Sequence, residues 1–401
     1  MKLSQNTIPN GHIITRGDGV FIYDNNGNKI FDFCSQTLNL NLGHTNPVIN
    51  KRINDVIQDK IFLSSRFKNA ECDELLNILS EISPVSLNRA LFKITCGSLA
   101  NEAALKMSYK HTNNKGVISF IGSHHGQSFE TMRVSGKNFD KKYIQRDNVF
   151  FIEPPLKILP EDVLKNIKTV LEKNYNDISC IILEPIMVDA GVIIFPKELI
   201  REIRNLCNRY NKIFIFDEIQ TAFGWTGNMF YSEQLETCPD VLTACKGFAA
   251  GLPLGLVLFN DKLDNLSYGE HEITHGASPL CCAVASTSIN YIRDNNLLLN
   301  VKKLEVNINK QFSELQEKYK KLIKAIRGKG VIWGIEINDS HIAKKIFSEC
   351  LNNGLLLRLS EVGGNSSVIQ FKPPIITTEN EINEGICILD KCLKNNYNER
   401  I

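Results

Sequence analysis

One carboxylate and one amine each follow an apolar segment near the middle of the chain. Ile213–Phe216 is a short run of apolar β-forming residues that ends on Asp217 and Glu218, and Val241–Cys245 is a second apolar segment that ends on Lys246. Unbroken apolar runs of this length are typical of strands that are buried on both faces of a parallel sheet. Ligands of such sheets bind beyond the carboxyl ends of the strands, so both segments are predicted to deliver their polar residues to a ligand.

Two kinds of chemistry fit this pair. Asp217 and Lys246 could form a surface salt bridge, which would contribute little to stability. Alternatively, Lys246 forms an imine with an aldehyde cofactor, while Asp217 keeps a ring nitrogen of that cofactor protonated so that the ring can accept electrons. The pair by itself favours the salt bridge, so the surrounding sequence has to distinguish the two.

The sequence around the pair resembles a long and specific family signature. DEIQTAFGWTG, which starts at Asp217, and PDVLTACKGFAAGLPLG, which contains Lys246, are similar to the pyridoxal-phosphate (PLP) signature of the class III aminotransferases, the group that contains ornithine and 4-aminobutyrate aminotransferases. The resemblance implies a PLP-dependent aminotransferase in which Lys246 and Asp217 are catalytic. It also implies an amino donor such as glutamate or alanine, a carbonyl acceptor, and a homodimer with shared active sites.

A second segment is suited to binding a phosphate group. A predicted strand, Leu91–Thr95, leads through Gly97 and Ser98 into a helix rich in Ala, Leu and Glu. The free amides at a helix N-terminus bind phosphate without a basic side chain, although a lone Gly-Ser pair is usually only a cap. CGSLANEAALK resembles the family's SGSEANEAALK, which implies that Gly97 and Ser98 bind the PLP phosphate and that Leu99 replaces the family's acid.

Four further residues match cofactor contacts of the family. GSHHGQS resembles a YHG turn, so His124 takes the place of the aromatic residue that stacks on the ring. Glu184 matches the acid near the O3′ atom, and Gln220 matches the residue that hydrogen-bonds the phenolic oxygen. Thr274, in THGASPLCCAVAS, matches the residue that reaches the phosphate of the neighbouring subunit's cofactor. His124 and Thr274 could instead be ordinary turn or capping residues.

The substrate side departs from the family pattern. The family's VIRFLPPL contains an arginine that binds the substrate α-carboxylate, but this chain has VIQFKPP, with Gln370 at that position. Glutamine lacks the charge and the planar fork of arginine. Lys372 is expected on the same strand face, where it could substitute as a point charge, pair with Asp189 or point into solvent. Asp189 matches an acid that pairs with a substrate-binding arginine in several members, and Trp225 replaces another arginine, either for packing or as a lining of the substrate pocket.

The missing arginine leaves two explanations. Either the carboxylate is held elsewhere, or the substrate lacks one. We predict a preference for compounds whose amine lies away from an α-carboxylate, such as terminal amines, aminoketone-derived groups or amino sugars. An amino-acid epimerase or aminomutase of the same family is the alternative. A non-catalytic binding protein with the same fold is disfavoured, because both Lys246 and Asp217 are present.

The resemblance extends over nearly the whole chain and implies the elements that position these residues. It implies the α/β fold of the aspartate-aminotransferase-like PLP-dependent transferases. The large domain, with a mostly parallel central sheet, is predicted at residues 46–285, and a smaller α+β domain is predicted from residues 1–45 and 286–401. Local patterns predict helices at Pro47–Asp59 and Ala70–Ile82.

The bulk properties argue against several other classes of protein. The 401 residues carry a formal net charge of +2, which gives no field suited to nucleic acid or to an anionic membrane. The sequence contains neither a membrane-spanning apolar run nor the apolar region of a secretory signal at its start. We therefore expect a cytoplasmic protein without membrane or nucleic-acid partners. Twelve cysteines without a CxxC pair are expected to be reduced thiols, and no metal site is predicted.

Overall fold

The chain alternates strands and helices through the residues that the computed structural model describes, which are 13–60, 62–64, 66–137, 144–362 and 365–398. The strands are β1 (Ile14–Asp18), β2 (Phe21–Asp24), β3 (Lys29–Asp32), β4 (Arg89–Ile94), β5 (Gly116–Phe120), β6 (Val149–Ile152), β7 (Ile178–Leu183), β8 (Ile186–Met187), β9 (Ile193–Ile194), β10 (Ile213–Asp217), β11 (Val241–Ala244), β12 (Gly255–Phe259), β13 (Ile323–Lys329), β14 (Ile332–Ile337), β15 (Leu355–Leu356), β16 (Arg358–Val362) and β17 (Asn365–Phe371).

The helices lie between and around these strands. They are α1 (Ser35–Leu38), a single turn with left-handed backbone angles, α2 (Pro47–Asp59), α3 (Ala70–Ile82), α4 (Gly97–Thr112), α5 (Phe129–Val134), α6 (Pro160–Lys173), α7 (Lys197–Tyr210), α8 (Pro279–Asp294), α9 (Leu297–Lys318), α10 (Ser340–Asn352) and α11 (Glu379–Asn398). Shorter 3₁₀ turns are formed by Tyr231–Gln234, Lys246–Ala249 and Asp261–Leu263.

Capping residues set the starts of the two helices that local sequence patterns predicted. The side chain of Asn46 accepts hydrogen bonds from the amides that open α2, and the side chain of Asn69 does the same at the start of α3. Proline at the first position of α2 has the backbone angle that a helix start requires. Because asparagine satisfies amides that have no partner inside the helix, both predicted helices are confirmed with their predicted bounds.

The main sheet has seven strands in the order β4-β12-β11-β10-β7-β5-β6. All neighbours from β11 to β6 pair in parallel, whereas β12 runs antiparallel to β11 and to β4. The prediction of an α/β fold with a mostly parallel central sheet is therefore confirmed.

Strand β10 separates two hydrophobic cores. Phe214 and Phe216 belong to the larger core, which includes residues of α6 and α7, while Ile213 and Ile215 pack in a second core with the alanines of α4. All five residues of the strand are buried. Because both faces of β10 are covered, apolar residues are required at every position until the strand ends on Asp217, and this explains the lack of alternation in its sequence.

The ends of β10 and β11 lie side by side. The two strands are parallel neighbours, and Asp217 pairs in register with Thr243. Strand β11 ends at Ala244, one residue earlier than its apolar pattern predicts, and Lys246 begins the 3₁₀ turn that follows. The two polar strand ends therefore meet at one edge of the sheet.

Two smaller sheets use residues from the ends of the described chain. One has the order β1-β2-β3-β15, in which Leu355 pairs in parallel with Phe31. The other is antiparallel throughout and has the order β13-β14-β17-β16. The first of these sheets joins N-terminal and C-terminal segments, while the domain boundaries at residues 46 and 285 stay a prediction.

The pairing of β16 with β17 contains a bulge. Val362 pairs with Asn365, but after the bulge Ser360 pairs with Val368 and Arg358 with Gln370. If the first pairing had continued one residue at a time along each strand, Arg358 would lie opposite Ile369. Side chains of successive residues point to opposite faces of a sheet, so the bulge puts Arg358 and Gln370 on one face.

In the described ranges, no helix combines the length and the apolar character needed to cross a membrane. Within the same ranges, no group of three or more His, Cys, Asp and Glu side chains is arranged to hold a metal ion. All twelve cysteines have free thiols.

Candidate active site

A cavity of about 230 Å³ opens where β10 and β11 end. Asp217 and Lys246 both line it, so the structure brings the predicted carboxylate and amine to one site. The same cavity is lined by five further residues that were predicted to contact a cofactor: Gly97, Ser98, His124, Glu184 and Gln220.

Hydrogen bonds from three residues fix the carboxylate of Asp217. Nδ2 of Asn101 donates to Oδ2 over 2.7 Å, and Nδ1 of His125 lies 2.8 Å from the same oxygen. The amide of Ile219 donates to Oδ1 over 3.1 Å. Asp217 is only 4% exposed and Asn101 and His125 are buried, so the carboxylate has a fixed orientation beside the cavity.

The partners of Asp217 are themselves held in place. Oγ1 of Thr243 donates to Oδ1 of Asn101 over 2.6 Å, and Nδ2 of Asn101 also donates to the carbonyl oxygen of His125 over 2.8 Å. Nε2 of His125 lies 3.3 Å from Oγ of Ser119. The sequence analysis assigned no role to Asn101 or His125. An asparagine among the alanines that open α4 is the sequence signal that could have pointed to this network.

Lys246 lies in an electrostatic environment that changes its basicity. Burial lowers the pKa of its amine below the ordinary value, while Asp189 nearby raises this pKa and Arg358 lowers it. Burial disfavours the charged form of a lysine, so the neutral and nucleophilic form is populated more than in solvent.

Helix α4 begins at the cavity. Gly97 and Ser98 are its first two residues, and its first turn contains no acidic side chain. Oγ of Ser98 accepts a hydrogen bond from the amide of Gln127 over 3.0 Å. Gly126 has a φ angle of +138°, and a Cβ atom on it would lie 2.5 Å from Oγ of Ser98. This end of the cavity therefore combines helix amides, a positive dipole end and closely packed backbone, which together suit an anion.

Glu184 and His124 are joined through the backbone. Oε1 of Glu184 accepts a hydrogen bond from the amide of His124 over 2.8 Å. Burial raises the pKa of Glu184 well above its usual range, and Asp217 raises it further. Burial also lowers the pKa of His124, so its imidazole favours the neutral form.

Gln370 and Lys372 face each other in the protein interior. Both are fully buried, and Nζ of Lys372 donates to Oε1 of Gln370 over 2.6 Å. Nε2 of Gln370 donates to the carbonyl oxygen of Val188 over 2.8 Å and to Oγ of Ser360. Lys372 therefore shares the strand face of Gln370, as expected, but the alternative in which it points into solvent was wrong.

Asp189 forms its ion pair with a residue that the sequence analysis missed. Nη2 of Arg358 lies 3.7 Å from Oδ1 of Asp189, and 33% of the Arg358 side chain is exposed. Burial raises the pKa of Asp189, but the positive charges of Lys246, Arg358 and Lys372 lower it by more. The pKa of Asp189 therefore lies below its usual range. Arg358 lacked a motif of its own, and its position depends on the bulge between β16 and β17.

Trp225 and Thr274 lie apart from the cavity lining. Trp225 is fully buried in the larger core, where Gly247 approaches its indole nitrogen. Of its two predicted roles, this position fits packing. Thr274 is exposed on the surface of the chain.

The comparisons with known proteins identify the family of the chain. The family model for class III aminotransferases matches residues 3–393. This chain belongs to the class III aminotransferases. Acetylornithine aminotransferase from Prochlorococcus marinus subsp. pastoris is 33% identical over 92% of this chain and 88% of its own length. The enzyme of the same name from Bacillus cereus is 32% identical over 95% of both chains.

Solved structures share the fold of this class III aminotransferase. A transaminase from the marine bacterium Virgibacillus has a TM-score of 0.90 at 23% identity, covering 98% of this chain and 94% of its own. An ω-aminotransferase from Paracoccus denitrificans has a TM-score of 0.91 at 21% identity, covering 99% and 97%.

The class III aminotransferases use PLP, and the cavity fits this cofactor. PLP combines a phosphate, an aldehyde and a pyridine ring. The chain offers the N-terminus of α4 for an anion, the amine of Lys246 for an aldehyde and the fixed carboxylate of Asp217 for a ring nitrogen. The chain is therefore a PLP-dependent aminotransferase.

Proposed function

We propose that this enzyme moves an amino group between an amino-acid donor, such as glutamate or alanine, and a carbonyl acceptor, and that the acceptor becomes an amine that lies away from an α-carboxylate. The observation that carries the proposal is the set of hydrogen bonds that Gln370 already makes. Its amide is engaged by Val188, Ser360 and Lys372, so it has neither charge nor spare donors for an α-carboxylate beside the reacting amine. The similarity to acetylornithine aminotransferases makes acetylornithine the first amine to test.

The chemistry of this function depends on Lys246 and Asp217. Bound PLP supplies an aldehyde carbon and a ring that accepts electrons. Lys246 would hold the cofactor at that carbon and, as a neutral amine, would move a proton at the substrate carbon. Asp217 would face the ring nitrogen and stabilise its protonated form. The short contacts from Asn101 and His125 support this role because they prevent the carboxylate from rotating away.

The remaining residues of the cavity hold and orient the cofactor. Gly97 and Ser98 bind the phosphate through the amides of α4, which needs no basic side chain. The imidazole of His124 would stack on the ring, and burial lowers its pKa and so favours the neutral form. Glu184 and Gln220, which line the same cavity, would contact the phenolic oxygen of the ring.

Thr274 completes the site of a second subunit in this proposal. It lies on the surface and outside the cavity of its own chain, which is the position expected of a residue that reaches a neighbour's phosphate. Exposed aromatic side chains nearby support a contact surface: Tyr268 is 78% exposed, and Phe62, which is 44% exposed, packs against His275. A dimer in light scattering, together with weaker PLP binding in Thr274→Ala, is the expected result, whereas a monomer that binds PLP fully contradicts shared sites.

A half-reaction assay tests the proposed function. The PLP-loaded enzyme is mixed separately with acetylornithine, propylamine, alanine and glutamate, and the visible absorbance of the cofactor and the carbonyl product are followed. We expect the amines without a neighbouring α-carboxylate to be preferred as specific substrates. Efficient and preferred turnover of an ordinary α-amino acid, unaffected by Gln370→Ala, contradicts the proposal. Racemisation without pyridoxamine phosphate would assign the enzyme to the epimerases instead.

A further inference from the structure

The common donor of the proposed function needs a carboxylate site that position 370 does not provide. The nearest alternative on the described strands is Arg358, which pairs directly with Gln370 across β16 and β17. Residues directly opposite each other in an antiparallel pair place their side chains on the same face, about 5 Å apart at Cβ. The guanidinium that is missing from β17 is therefore present on the neighbouring strand.

The face that carries Arg358 meets the active site. Gln370, on this face, donates to the backbone of Val188, and Arg358 pairs with the adjacent Asp189. Asp189 and Arg358 are both among the charges that act on Lys246. The guanidinium therefore lies beside Asp189 and near enough to Lys246 to act on the charge of its amine.

The contact between Arg358 and Asp189 leaves the guanidinium available. The distance of 3.7 Å is longer than a hydrogen bond, and one third of the Arg358 side chain is exposed. Loose and partly exposed ion pairs contribute little stability, so a ligand carboxylate can replace Asp189 as the partner. Asp189 meanwhile balances the charge of Arg358 when no carboxylate is bound.

We propose that Arg358 binds the carboxylate of the amino-acid donor and of its 2-oxo-acid product, in place of an arginine at position 370. This inference rests on the proposed function, because it names the residue that admits the common donor. Arginine offers two parallel N–H donors to a carboxylate, which a lysine does not. Lys372 is also less suitable because it is fully buried and already donates to Gln370.

A comparison of two amines tests the assignment. Half-reactions of the PLP-loaded enzyme are measured with alanine, which carries a carboxylate, and with propylamine, which carries none. Arg358→Met is expected to raise the half-saturating concentration of alanine roughly 100-fold, as for the loss of a charged hydrogen-bonded partner, and that of propylamine far less. Arg358→Lys should restore part of the alanine affinity, because it keeps the charge without the fork. An equal change for both amines, or no change with alanine, overturns the proposal.

A binding measurement separates this inference from the proposed function. Propionate has a carboxylate but no amine, so calorimetry reports its binding to the holoenzyme without any amino transfer. Binding that Arg358→Met abolishes supports the carboxylate site even if the preferred amine proves to be an ordinary α-amino acid. Propionate binding that is the same in Arg358→Met and wild type overturns the inference, even if terminal amines are turned over as proposed.

A matched variant controls for the loss of one positive charge. Arg293, on α8, forms an ion pair with Glu81 of α3 at 2.8 Å, and its side chain is 44% exposed. Arg293→Met is expected to bind propionate and alanine like the wild type. Thermal unfolding and PLP content of both variants show whether they are folded, and a loss of alanine affinity as large in Arg293→Met as in Arg358→Met counts against a specific site.

Discussion

The two walls of the active site are built in different ways. The cofactor wall, formed by Asp217, Lys246 and the N-terminus of α4, takes each functional group from the end of a strand or the start of a helix. The proposed substrate wall consists of Asp189, Arg358, Gln370 and Lys372, and the position of Arg358 in it depends on how β16 pairs with β17. A motif can identify a functional residue whose position is fixed by its own segment of the chain. A motif cannot identify a residue whose position depends on pairing with a neighbouring strand.

The largest expected effect is on the cofactor wall. Replacing Lys246 with alanine removes the amine that attaches to the cofactor and carries the proton, so amino transfer should fall by about 10⁴-fold or more. Single-turnover kinetics with the best amine, together with the visible spectrum of the bound cofactor, measure this loss. A variant that keeps most of the wild-type rate would contradict the catalytic role of the Lys246 amine.

Asp217→Asn should have the next largest effect. The amide keeps the size of the side chain but not the charge, so the ring nitrogen loses its anionic partner. We expect a rate lower by about 10²–10³-fold, the range found when one electrostatic contact to a reacting group is removed. The rate of the half-reaction measures this decrease. If the variant binds the cofactor as tightly as the wild type, the lower rate reflects a slower chemical step and not weaker cofactor binding. An unchanged rate contradicts the assigned role.

A pH titration of stability examines the substrate wall. Burial lowers the pKa of Lys372 to about 8, against an ordinary value of 10.5. Below pH 8 the buried lysine is charged and destabilises the folded protein. Between pH 8 and 10.5 the folded protein releases this proton while the unfolded chain keeps it, so the free energy of unfolding rises by up to about 3 kcal/mol. Urea unfolding at pH 7 and pH 10 should show this rise in the wild type and not in Lys372→Met. The same rise in both proteins contradicts the assignment.

The smallest predicted effect comes from removing a hydrogen bond that orients Asp217. Asn101→Ala removes one hydrogen bond to Asp217 and leaves the hydroxyl of Thr243 without this acceptor, which should cost about 1–2 kcal/mol in the free energy of unfolding. The rate should fall about tenfold with little change in KM. Thr243→Val, which removes the other end of the contact, is the matched control and should lower the rate less. Equal losses in both variants would indicate a purely structural role for Asn101.

The sequence was sufficient to predict the fold and to predict that Asp217, Lys246 and the start of α4 share one cavity, but not to predict the residues that support them. The unbroken apolar run before Asp217 and the capping residues of α2 and α3 carry their information within a few neighbouring residues. Asn101 and His125 act on Asp217 across 116 and 92 positions of the chain, and no local pattern encodes such contacts. Arg358 depends on a bulge, and a register prediction that ignored the bulge would have placed it on the wrong face.

The single additional residue in β17 has a consequence for how specificity changes among related enzymes. A change that removed the bulge while keeping this residue would move the partners of β16 by one place and set Arg358 opposite Ile369 instead of Gln370, although no binding residue had been substituted. The bulge in this hairpin can therefore alter the charge preference of such an enzyme. Relatives should accordingly be matched here by hydrogen-bonded strand partners and not by alignment columns.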